Sequence, residues 1–273
     1  MIMFPNAKIN LGLDILRRRD DGYHDIETVM VPVPWQDVLE IVPAKGEKTT
    51  LTVTGRHVEC PPEKNLVMKA YRTLEREVSL PPVDIYLRKI IPDGAGLGGG
   101  SSDAAFMLRM LNNMFALGYD DAGLARVAAG LGADCPFFIY NRPMLCTGTG
   151  TDMEPADVDL CGMDILIAKP DVSVPTAAAY SHTVPAIPEV PVRDIVAREA
   201  TSWEGQLKND FEASVFPAYP SIARLKERMQ RLKPVYTAMS GSGASVFGLF
   251  ERDKLSPSVK ELFADCDTFF ATL

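Results

Sequence analysis

The sequence predicts an α+β fold in two domains. Strand patterns and helix patterns are mixed in both halves of the chain, without the strict strand-helix-strand repeat of a parallel α/β sheet. The length of 273 residues exceeds what one hydrophobic core comfortably covers, which favours two domains. We place the boundary in the polar stretch 152–159, which follows a glycine turn, and expect domains at residues 1–154 and 155–273.

Composition narrows the class of protein. Hydrophobic residues make up 47% of the chain, enough for packed cores, yet no apolar run approaches the roughly 18 residues of a membrane span. The first residues lack a secretory pattern, and the five cysteines form no CxxC pair, which fits reduced thiols. A net charge of −8 argues against a nucleic-acid partner. We therefore expect a cytoplasmic protein that binds neither membranes nor nucleic acid. The sequence leaves open whether it is a monomer or a homodimer.

A glycine-dense turn between a predicted strand and a predicted helix is the strongest functional signal. Residues 92–105 read PDGAGLGGGSSDAA. The strand pattern lies at 83–90 and the helix pattern at 102–111, and the Ser-Ser-Asp at 101–103 is of helix-capping type. Glycine lets the backbone approach a ligand closely, so that N–H groups at a helix start can bind phosphate. The turn therefore predicts a phosphate site.

Other phosphate loops fit this context less well. Residues 94–99 match GxGxxG, but the acids about 20 residues further on, Asp120 and Asp121, lie in a turn that leads into a helix at 122–131. No Gly-Lys-Ser/Thr closes the turn, and the His-Arg-Asp and Asp-Phe-Gly segments of protein kinases are missing. A purely structural turn stays open, although five glycines in seven positions exceed what a turn requires.

The amino-terminal segment predicts a strand with a functional face. Residues 5–16 alternate apolar and polar side chains, which places Lys8 and Asn10 on the same face. Asparagine is depleted in strands, so a lysine flanked by asparagines is unusual. The alternative is a half-exposed strand with a solvated lysine.

A second glycine cluster lies at residues 239–248. It joins a basic helical stretch at 222–232 to a strand-like run at 246–250. Such a cluster is more often a tight turn than a site. Coupled to the first glycine turn, it predicts the second side of a nucleotide site.

Asp134 has two interpretations. It lies at a chain reversal just before an apolar run, after Gly132, which suits the carboxy-terminal cap of a helix. Asp134 then suits the cap of the next helical turn. It could equally be a partly desolvated base that faces a pocket.

Together these segments resemble the galactokinase, homoserine kinase, mevalonate kinase and phosphomevalonate kinase (GHMP) superfamily. The motifs PNAKINL, PDGAGLGGGSS, LGADCP and SGSGA occur in the expected order. The segments DDGYH at 20–24 and VSVPT at 172–176 are most similar to the kinases of the non-mevalonate isoprenoid pathway. The resemblance runs nearly end to end. It implies an amino-terminal domain like ribosomal protein S5, a ferredoxin-like carboxy-terminal domain, and an active site between them.

The resemblance implies a small-molecule kinase. Such an enzyme uses ATP and Mg²⁺ to phosphorylate the tertiary 2-hydroxyl of a methylerythritol that a diphosphate joins to cytidine. Lys8 and Asp134 are implied to be catalytic. Asp134 would orient or deprotonate the acceptor hydroxyl, and Lys8 would stabilise its negative charge. The Ser101 and Ser102 hydroxyls would lie near the phosphates or their Mg²⁺, and the metal ligands themselves are unknown.

The remaining site residues follow from the resemblance position by position. ATP is expected to contact Pro92, Asp93, Gly94, Ala95, Gly96, Leu97, Gly98, Gly99, Gly100, Ser101 and Ser102, with Lys89 and Asn65 near the nucleotide. The cytidine diphosphate substrate is expected to contact Asn10, Tyr23, His24, Thr176 and Tyr180. The third glycine motif of the superfamily is expected at Ser240, Gly241, Ser242 and Gly243. Asp103 stands where some relatives have asparagine.

Two other functions stay open at this point. A sister kinase of the superfamily would act on homoserine or mevalonate, and the segments at 22–24 and 174–176 argue against it. A nucleotide-binding regulator without turnover would have no need for both Lys8 and Asp134.

Overall fold

The structure is a computed structural model that describes residues 1–57 and 60–273. The strands are β1 (Ile2–Met3), β2 (Asn6–Arg18), β3 (His24–Gln36), β4 (Val38–Pro43), β5 (Thr50–Gly55), β6 (Val83–Lys89), β7 (Met144–Thr147), β8 (Asp152–Pro155), β9 (Asp164–Pro170), β10 (Tyr236–Met239), β11 (Val246–Phe250) and β12 (Cys266–Thr272). The α-helices are α1 (Leu66–Glu77), α2 (Gly99–Met114), α3 (Asp121–Ala129), α4 (Cys135–Tyr140), α5 (Thr176–Tyr180), α6 (Val192–Val196), α7 (Phe211–Ala218) and α8 (Pro220–Gln230). This mixture of sheets and helices confirms the predicted α+β class.

The glycine turn joins the two elements that the sequence predicts. Strand β6 precedes it, and helix α2 follows it. The helix begins at Gly99, three residues before the predicted start, because Gly98 adopts a left-handed conformation with φ +70° and ends the loop there. The residues at 101–103 therefore lie inside the helix, and no side chain caps its start. The expectation that they cap α2 is wrong.

The caps of α3 and α4 also differ from expectation. Asp120 caps α3 by accepting a 2.7 Å hydrogen bond from the N–H of Gly123, which confirms a turn at this acid. The helix ends before Gly130, so Gly132 is not its cap. Asp134 precedes α4, but its side chain makes no capping hydrogen bond. Asp134 therefore occupies the predicted N-cap position of α4 without capping the helix through its side chain.

The first of two compact units comprises Met1–Ala7, Trp35–Asp93 and Gly98–Arg142. Its sheet has the strand order β1-β4-β6-β5, with β5 parallel to β6 and the other neighbours antiparallel. Strand β6 alternates buried and more exposed residues, and its buried face carries Val83, Ile85, Leu87 and, at its end, Lys89. Helix α2 packs against α1, α4 and β4.

The second unit comprises Lys8–Pro34, Gly94–Leu97 and Pro143–Leu273. Its antiparallel sheet has the order β10-β11-β9-β12, and α8 packs on three of those strands. A further sheet has the order β2-β3-β7-β8. Strand β2 is buried on both faces from Asn6 to Ile15. The alternative prediction for residues 5–16, a half-exposed strand, is therefore wrong.

Both units draw on separate parts of the sequence. The boundary expected between residues 154 and 155 stays a prediction. Within the described ranges, no helix has the combined length and apolar character that crossing a membrane requires.

Candidate active site

Two glycine segments, the first at residues 94–98 of the glycine turn and the second at residues 240–245 of the second glycine cluster, are connected by hydrogen bonds. The backbone N–H of Ala244 donates to the carbonyl of Gly94 at 3.3 Å, and the N–H of Ser245 donates to Ala95 at 3.1 Å. The hydroxyl of Ser240 donates to the carbonyl of Gly96 at 2.9 Å. Three successive carbonyls of the first glycine segment are therefore occupied by the second. Their pairing agrees with the expectation that the second cluster is more than an isolated turn.

The carbonyls of the first glycine segment accept backbone hydrogen bonds, but its N–H groups donate none to backbone among the described residues. In residues 1–57 and 60–273, no N–H of residues 94–98 donates a hydrogen bond to another backbone group. The first N–H groups of α2, from Gly99 onward, have no intrahelical acceptor because they begin the helix. Oriented N–H donors of this kind can bind an anion.

Gly96 is the position where the two segments are closest. A Cβ atom there would lie 1.9 Å from the carbonyl oxygen of Ser240, and the residue has φ +71°. Any side chain larger than hydrogen would therefore separate the segments.

Lys8 and Asn10 form a buried pair on β2. The ammonium of Lys8 donates a 2.6 Å hydrogen bond to Oδ1 of Asn10, and Asn10 Nδ2 donates to the hydroxyl of Thr28 at 3.1 Å. The backbone N–H of Lys8 donates to the carbonyl of Leu97 at 3.0 Å, which ties β2 to the glycine segment. The lysine is only 3% exposed, so the alternative of a solvated lysine is wrong.

The start of helix α2 contacts the segment that carries Asp134. The Ser101 side chain hydrogen-bonds the thiol of Cys135, and burial raises the pKa of that thiol to about 11, so it stays protonated at neutral pH. Ser102 is fully buried, and its hydroxyl has no hydrogen-bond partner among the described residues. Asp134 itself is half-buried.

Lys89 lies in a buried ion cluster in the first unit. Its ammonium donates to Oδ2 of Asp103 at 2.7 Å and to Oδ2 of Asp37. Burial lowers the pKa of Lys89, but the charges of Asp103 and Asp37 outweigh it and leave the pKa above its ordinary value. Burial also raises the pKa of Asp103, against the opposing charge of Lys89, to about 7. With its ammonium paired twice, Lys89 has the contacts of a structural cation, and its contact with a nucleotide stays a prediction.

Asp37 extends this cluster to the end of β6. Its Oδ1 accepts hydrogen bonds from the N–H groups of Ile90 and Ile91, the residues that lead into the glycine turn. A Cβ atom at Gly99 would lie 3.4 Å from the Lys89 ammonium. The cluster therefore fixes both the residues before the turn and the first turn of the helix after it.

An aromatic pocket of about 680 Å³ lies in the second unit. The rings of His24 and Tyr180 stack with their centroids 4.7 Å apart and an angle of 15° between their planes. Tyr180 also packs edge-on against Phe211. The pocket is lined by, among others, Arg18, Tyr23, His24, Thr149, Thr176 and Tyr180. The structure thus brings together the side chains expected to contact cytidine, with Tyr23 67% exposed.

Thr176 connects this pocket to the second glycine segment. Its hydroxyl lies 3.3 Å from the hydroxyl of Ser242. Asn65, by contrast, belongs to the first unit, where its Oδ1 caps α1 by accepting a 2.9 Å bond from the N–H of Val67. Its place near the adenine nucleotide stays a prediction.

The expected site residues divide between the two units. The second unit holds the expected residues Lys8, Asn10, Tyr23, His24, Gly94, Ala95, Gly96, Leu97, Thr176, Tyr180, Ser240, Gly241, Ser242 and Gly243. The first unit holds the expected residues Asn65, Lys89, Pro92, Asp93, Gly98, Gly99, Gly100, Ser101, Ser102 and Asp134. Sequence reasoning missed Asp37, which binds Lys89, and Arg18, which lines the aromatic pocket. Asp37 lies 52 positions from Lys89, and no local pattern marks that contact.

Family models match both parts of the chain. The model described as GHMP kinases N terminal domain matches residues 65–142, and the model described as GHMP kinases C terminal matches residues 192–264.

Relatives match nearly the whole length. A protein of Parabacteroides distasonis named 4-diphosphocytidyl-2-C-methyl-D-erythritol kinase is 48% identical over 266 residues, which cover 97% of each chain. A protein of the same name from Bacteroides fragilis is 50% identical over 256 residues, 93% of each chain.

Solved structures give the same result. A crystal structure of 4-(cytidine 5'-diphospho)-2C-methyl-D-erythritol kinase matches with a TM-score of 0.85 and 32% identity, covering 100% of this chain and 98% of that one. The homoserine kinase of Cytophaga hutchinsonii matches with a TM-score of 0.71 and 19% identity, covering 98% and 94%, and this likeness shows the fold alone. The predicted fold class and the predicted family of small-molecule kinases are thereby confirmed. The chain belongs to the GHMP kinase family, among the 4-diphosphocytidyl-2-C-methyl-D-erythritol kinases.

Proposed function

We propose that this protein transfers the γ-phosphoryl group of ATP to the 2-hydroxyl of 4-diphosphocytidyl-2-C-methyl-D-erythritol, giving the 2-phosphate and ADP. The reaction belongs to the non-mevalonate isoprenoid pathway and takes place in the cytoplasm. The observation that carries the proposal is the pairing of the two glycine segments. It occupies the carbonyls of Gly94, Ala95 and Gly96 while the N–H groups of residues 94–98 make no bond to other backbone in the described part of the chain.

This pairing suits phosphate binding. Phosphoryl transfer requires mainly positioning and donors around developing negative charge. Carbonyl oxygens repel phosphate, and here three of them are engaged by Ala244, Ser245 and Ser240. N–H donors then remain to bind the triphosphate of ATP.

Lys8 and Asp134 are the proposed catalytic residues. Lys8 is a buried cation, and a cation removed from water stabilises an alkoxide or a transferring phosphoryl group more strongly than a solvated one does. Its bond to Asn10 fixes the ammonium in one direction. Asp134, whose side chain makes no capping hydrogen bond to α4, is proposed to orient or deprotonate the acceptor hydroxyl.

Mg²⁺ is the proposed metal. Magnesium prefers oxygen ligands, and the buried Ser102 hydroxyl, which has no hydrogen-bond partner among the described residues, fits that preference. We propose that Ser102 holds the ion together with the phosphates. The ion would neutralise charge on the β- and γ-phosphate oxygens.

The aromatic pocket is proposed to bind cytidine. A base between two rings needs two van der Waals separations, about 7 Å. His24 and Tyr180 are 4.7 Å apart, so a base stacks on the outer face of the pair or separates the rings. Tyr23, which lines the same pocket and is largely exposed, supplies a further aromatic surface. Arg18 on the pocket lining supplies positive charge for the diphosphate.

The test is ADP release in a coupled assay with ATP and Mg²⁺. Wild-type protein is offered 4-diphosphocytidyl-2-C-methyl-D-erythritol, homoserine and mevalonate in separate reactions. We expect turnover with the cytidine diphosphate substrate and background rates with the other two. Faster turnover with homoserine or mevalonate would overturn the proposed substrate.

The same assay tests Asp134. Asp134→Ala is expected to lose most of kcat while an ATP analogue still binds, because the N–H donors to phosphate are unchanged. Full activity of Asp134→Ala would remove Asp134 from the mechanism.

A further inference from the structure

The segment 208–212 connects two functional parts of the second unit. Asn209 is 3% exposed, and its side-chain amide is fully engaged. Nδ2 donates to the carbonyl of Met239 at 2.7 Å and to the carbonyl of Gly241 at 2.8 Å, and Oδ1 accepts from the N–H of Phe211 at 3.0 Å. One buried side chain therefore holds the end of β10 and the glycine turn that follows it.

The neighbouring residues of this segment hold strand β2. The N–H of Leu13 donates to the carbonyl of Lys208 at 2.8 Å, and the N–H of Asp210 donates to the carbonyl of Leu13 at 2.9 Å. The carboxylate of Asp210 also accepts a 2.8 Å bond from the N–H of Ile15. The strand that carries Lys8 and the turn that carries Gly241 are thus attached to one short segment.

Gly241 lies close both to the Lys8–Asn10 pair on β2 and to the side chain of Asn209. A Cβ atom at Gly241 would lie 3.3 Å from Oδ1 of Asn10 and 3.5 Å from the ammonium of Lys8. The carbonyl of the same residue is the one that Asn209 binds. A shift of the turn would therefore change the surroundings of the Lys8–Asn10 pair directly.

We propose that Asn209 is a positioning residue for phosphoryl transfer, which fixes the turn at Gly241 against Lys8 and Asn10. This inference rests on the proposed function. The amide is the group that the geometry requires, because it donates to two carbonyls and accepts from an N–H at once. An aspartate at this position would place one carboxylate oxygen against the two carbonyl oxygens and could not donate to either.

The chain offers a matched control in Asn112. Its Nδ2 donates to the carbonyl of Tyr119 at 3.0 Å, and its Oδ1 accepts from the N–H of Tyr119 at 3.1 Å. It is an asparagine that bridges backbone groups, at the carboxy-terminal end of α2 in the first unit. Asn209→Ala removes three buried hydrogen bonds and Asn112→Ala removes two partly buried ones, so both are expected to lower the Tm, Asn209→Ala by more.

The experiment compares kcat, KM and Tm of Asn209→Ala, Asn209→Asp and Asn112→Ala in the full chain. Misplacement by about 1 Å can cost on the order of 100-fold in rate. We expect kcat of the Asn209 variants to fall by about 30-fold or more. KM for ATP is expected to rise by a smaller factor than kcat falls, because the same turn also carries donors to the carbonyls of residues 94–96. Asn112→Ala should keep kcat within about twofold. A wild-type kcat in folded Asn209→Ala, or an equal loss in Asn112→Ala, would overturn the proposal.

Two additions keep the test decisive. Asn209→Ser retains one donor, and if the other Asn209 variants do not fold, its kcat is read instead. A lower kcat is expected, and a wild-type kcat of Asn209→Ser would overturn the proposal. Deuterium exchange of the peptide covering 239–245 should be faster in Asn209→Ala than in wild type and unchanged in Asn112→Ala. Unchanged exchange in both variants would show that Asn209 does not hold this turn and would overturn the proposal. If wild-type protein does not turn over 4-diphosphocytidyl-2-C-methyl-D-erythritol, the proposed function is refuted. The exchange measurement does not depend on turnover and still tests whether Asn209 holds the turn.

Discussion

The ammonium of Lys8 points along its own strand and binds Oδ1 of Asn10, two residues away, at 2.6 Å. Residues two apart in a strand share a face, so this contact follows directly from the alternation of the sequence. Both side chains are buried, 3% and 2% exposed. A buried ammonium held in one direction is suited to stabilising charge that develops at a fixed place.

Replacement of Lys8 should therefore affect catalysis more than folding. We expect Lys8→Met to lower kcat by about 100-fold to 1000-fold, the cost of removing one preorganised donor, with KM for ATP changed little. The control is Lys169→Met. Lys169 is another buried lysine, on β9 opposite Asp267, and β11 separates that strand from β10. The measurement is steady-state kcat and KM of both variants. An equal loss of kcat in Lys169→Met would contradict a catalytic role of Lys8.

Gly96→Ala should disrupt the pairing of the glycine segments. Its Cβ would lie 1.9 Å from the carbonyl oxygen of Ser240, so the backbone of one segment must move. We expect KM for ATP to rise by about tenfold or more, because the N–H donors move with the backbone. Gly118→Ala is the matched control, since Gly118 has φ +80° but no heavy atom within 4 Å of the new Cβ. It should cost only about 1 kcal/mol of stability, from backbone strain.

Thermal unfolding and ATP titrations separate these two effects. If Gly96→Ala binds ATP as the wild type does while Gly118→Ala shows the expected loss of Tm, the pairing of the segments has no part in nucleotide binding.

The aromatic pocket makes a prediction about the second substrate. Tyr180→Ala removes one ring of the stacked pair with His24. Base stacking contributes on the order of 1 to 3 kcal/mol, so KM for the cytidine diphosphate substrate should rise by about fivefold to 150-fold while KM for ATP stays constant. Tyr180→Phe keeps the ring and should behave as wild type. A rise of KM for ATP alone would assign the pocket to the nucleotide instead.

Local patterns predicted the parts of the site that depend on neighbours in sequence. The strand β6, the glycine turn and the helix α2 follow from alternation, glycine content and helical spacing over short stretches. The common face of Lys8 and Asn10 follows from the period of a strand. The helix start was misplaced because serine and aspartate suit a cap, whereas Gly98 with its positive φ ends the loop first.

Contacts between distant segments were not predictable in this way. Asp37 binds Lys89 across 52 positions, and Asn209 binds Met239 across 30. The residues next to Asp37 and Asn209 in the sequence do not indicate which distant group each side chain binds. The alternation of 83–90 places Lys89 on the same face as the buried Val83, Ile85 and Leu87. It could not show the partners of the ammonium, because Asp37 and Asp103 come from other parts of the chain. Burial of both faces of β2 depends in the same way on what packs against it.

The ion cluster at Lys89 predicts how stability depends on pH. Burial raises the pKa of Asp103 to about 7, against the opposing charge of Lys89, whereas an unfolded aspartate titrates near 3.8. Between these values the folded protein holds a proton that the unfolded chain has lost. The contribution of Asp103 to the free energy of unfolding is therefore fully present below the unfolded pKa and falls as pH rises from about 4 to about 7, by at most about 1.4 kcal/mol per pH unit.

Asp103→Asn should remove this dependence. The amide oxygen can still accept from Lys89, and the residue no longer titrates. Urea unfolding at pH 5, 6, 7 and 8 should show a free energy of unfolding that declines less steeply for Asp103→Asn than for wild type, so that the variant gains relative to wild type as pH rises. Asp121→Asn, which changes an exposed carboxylate in the first turn of α3, should keep the wild-type slope. Parallel curves for wild type and Asp103→Asn would mean that Asp103 is already ionised throughout this range, held in that state by the Lys89 ammonium.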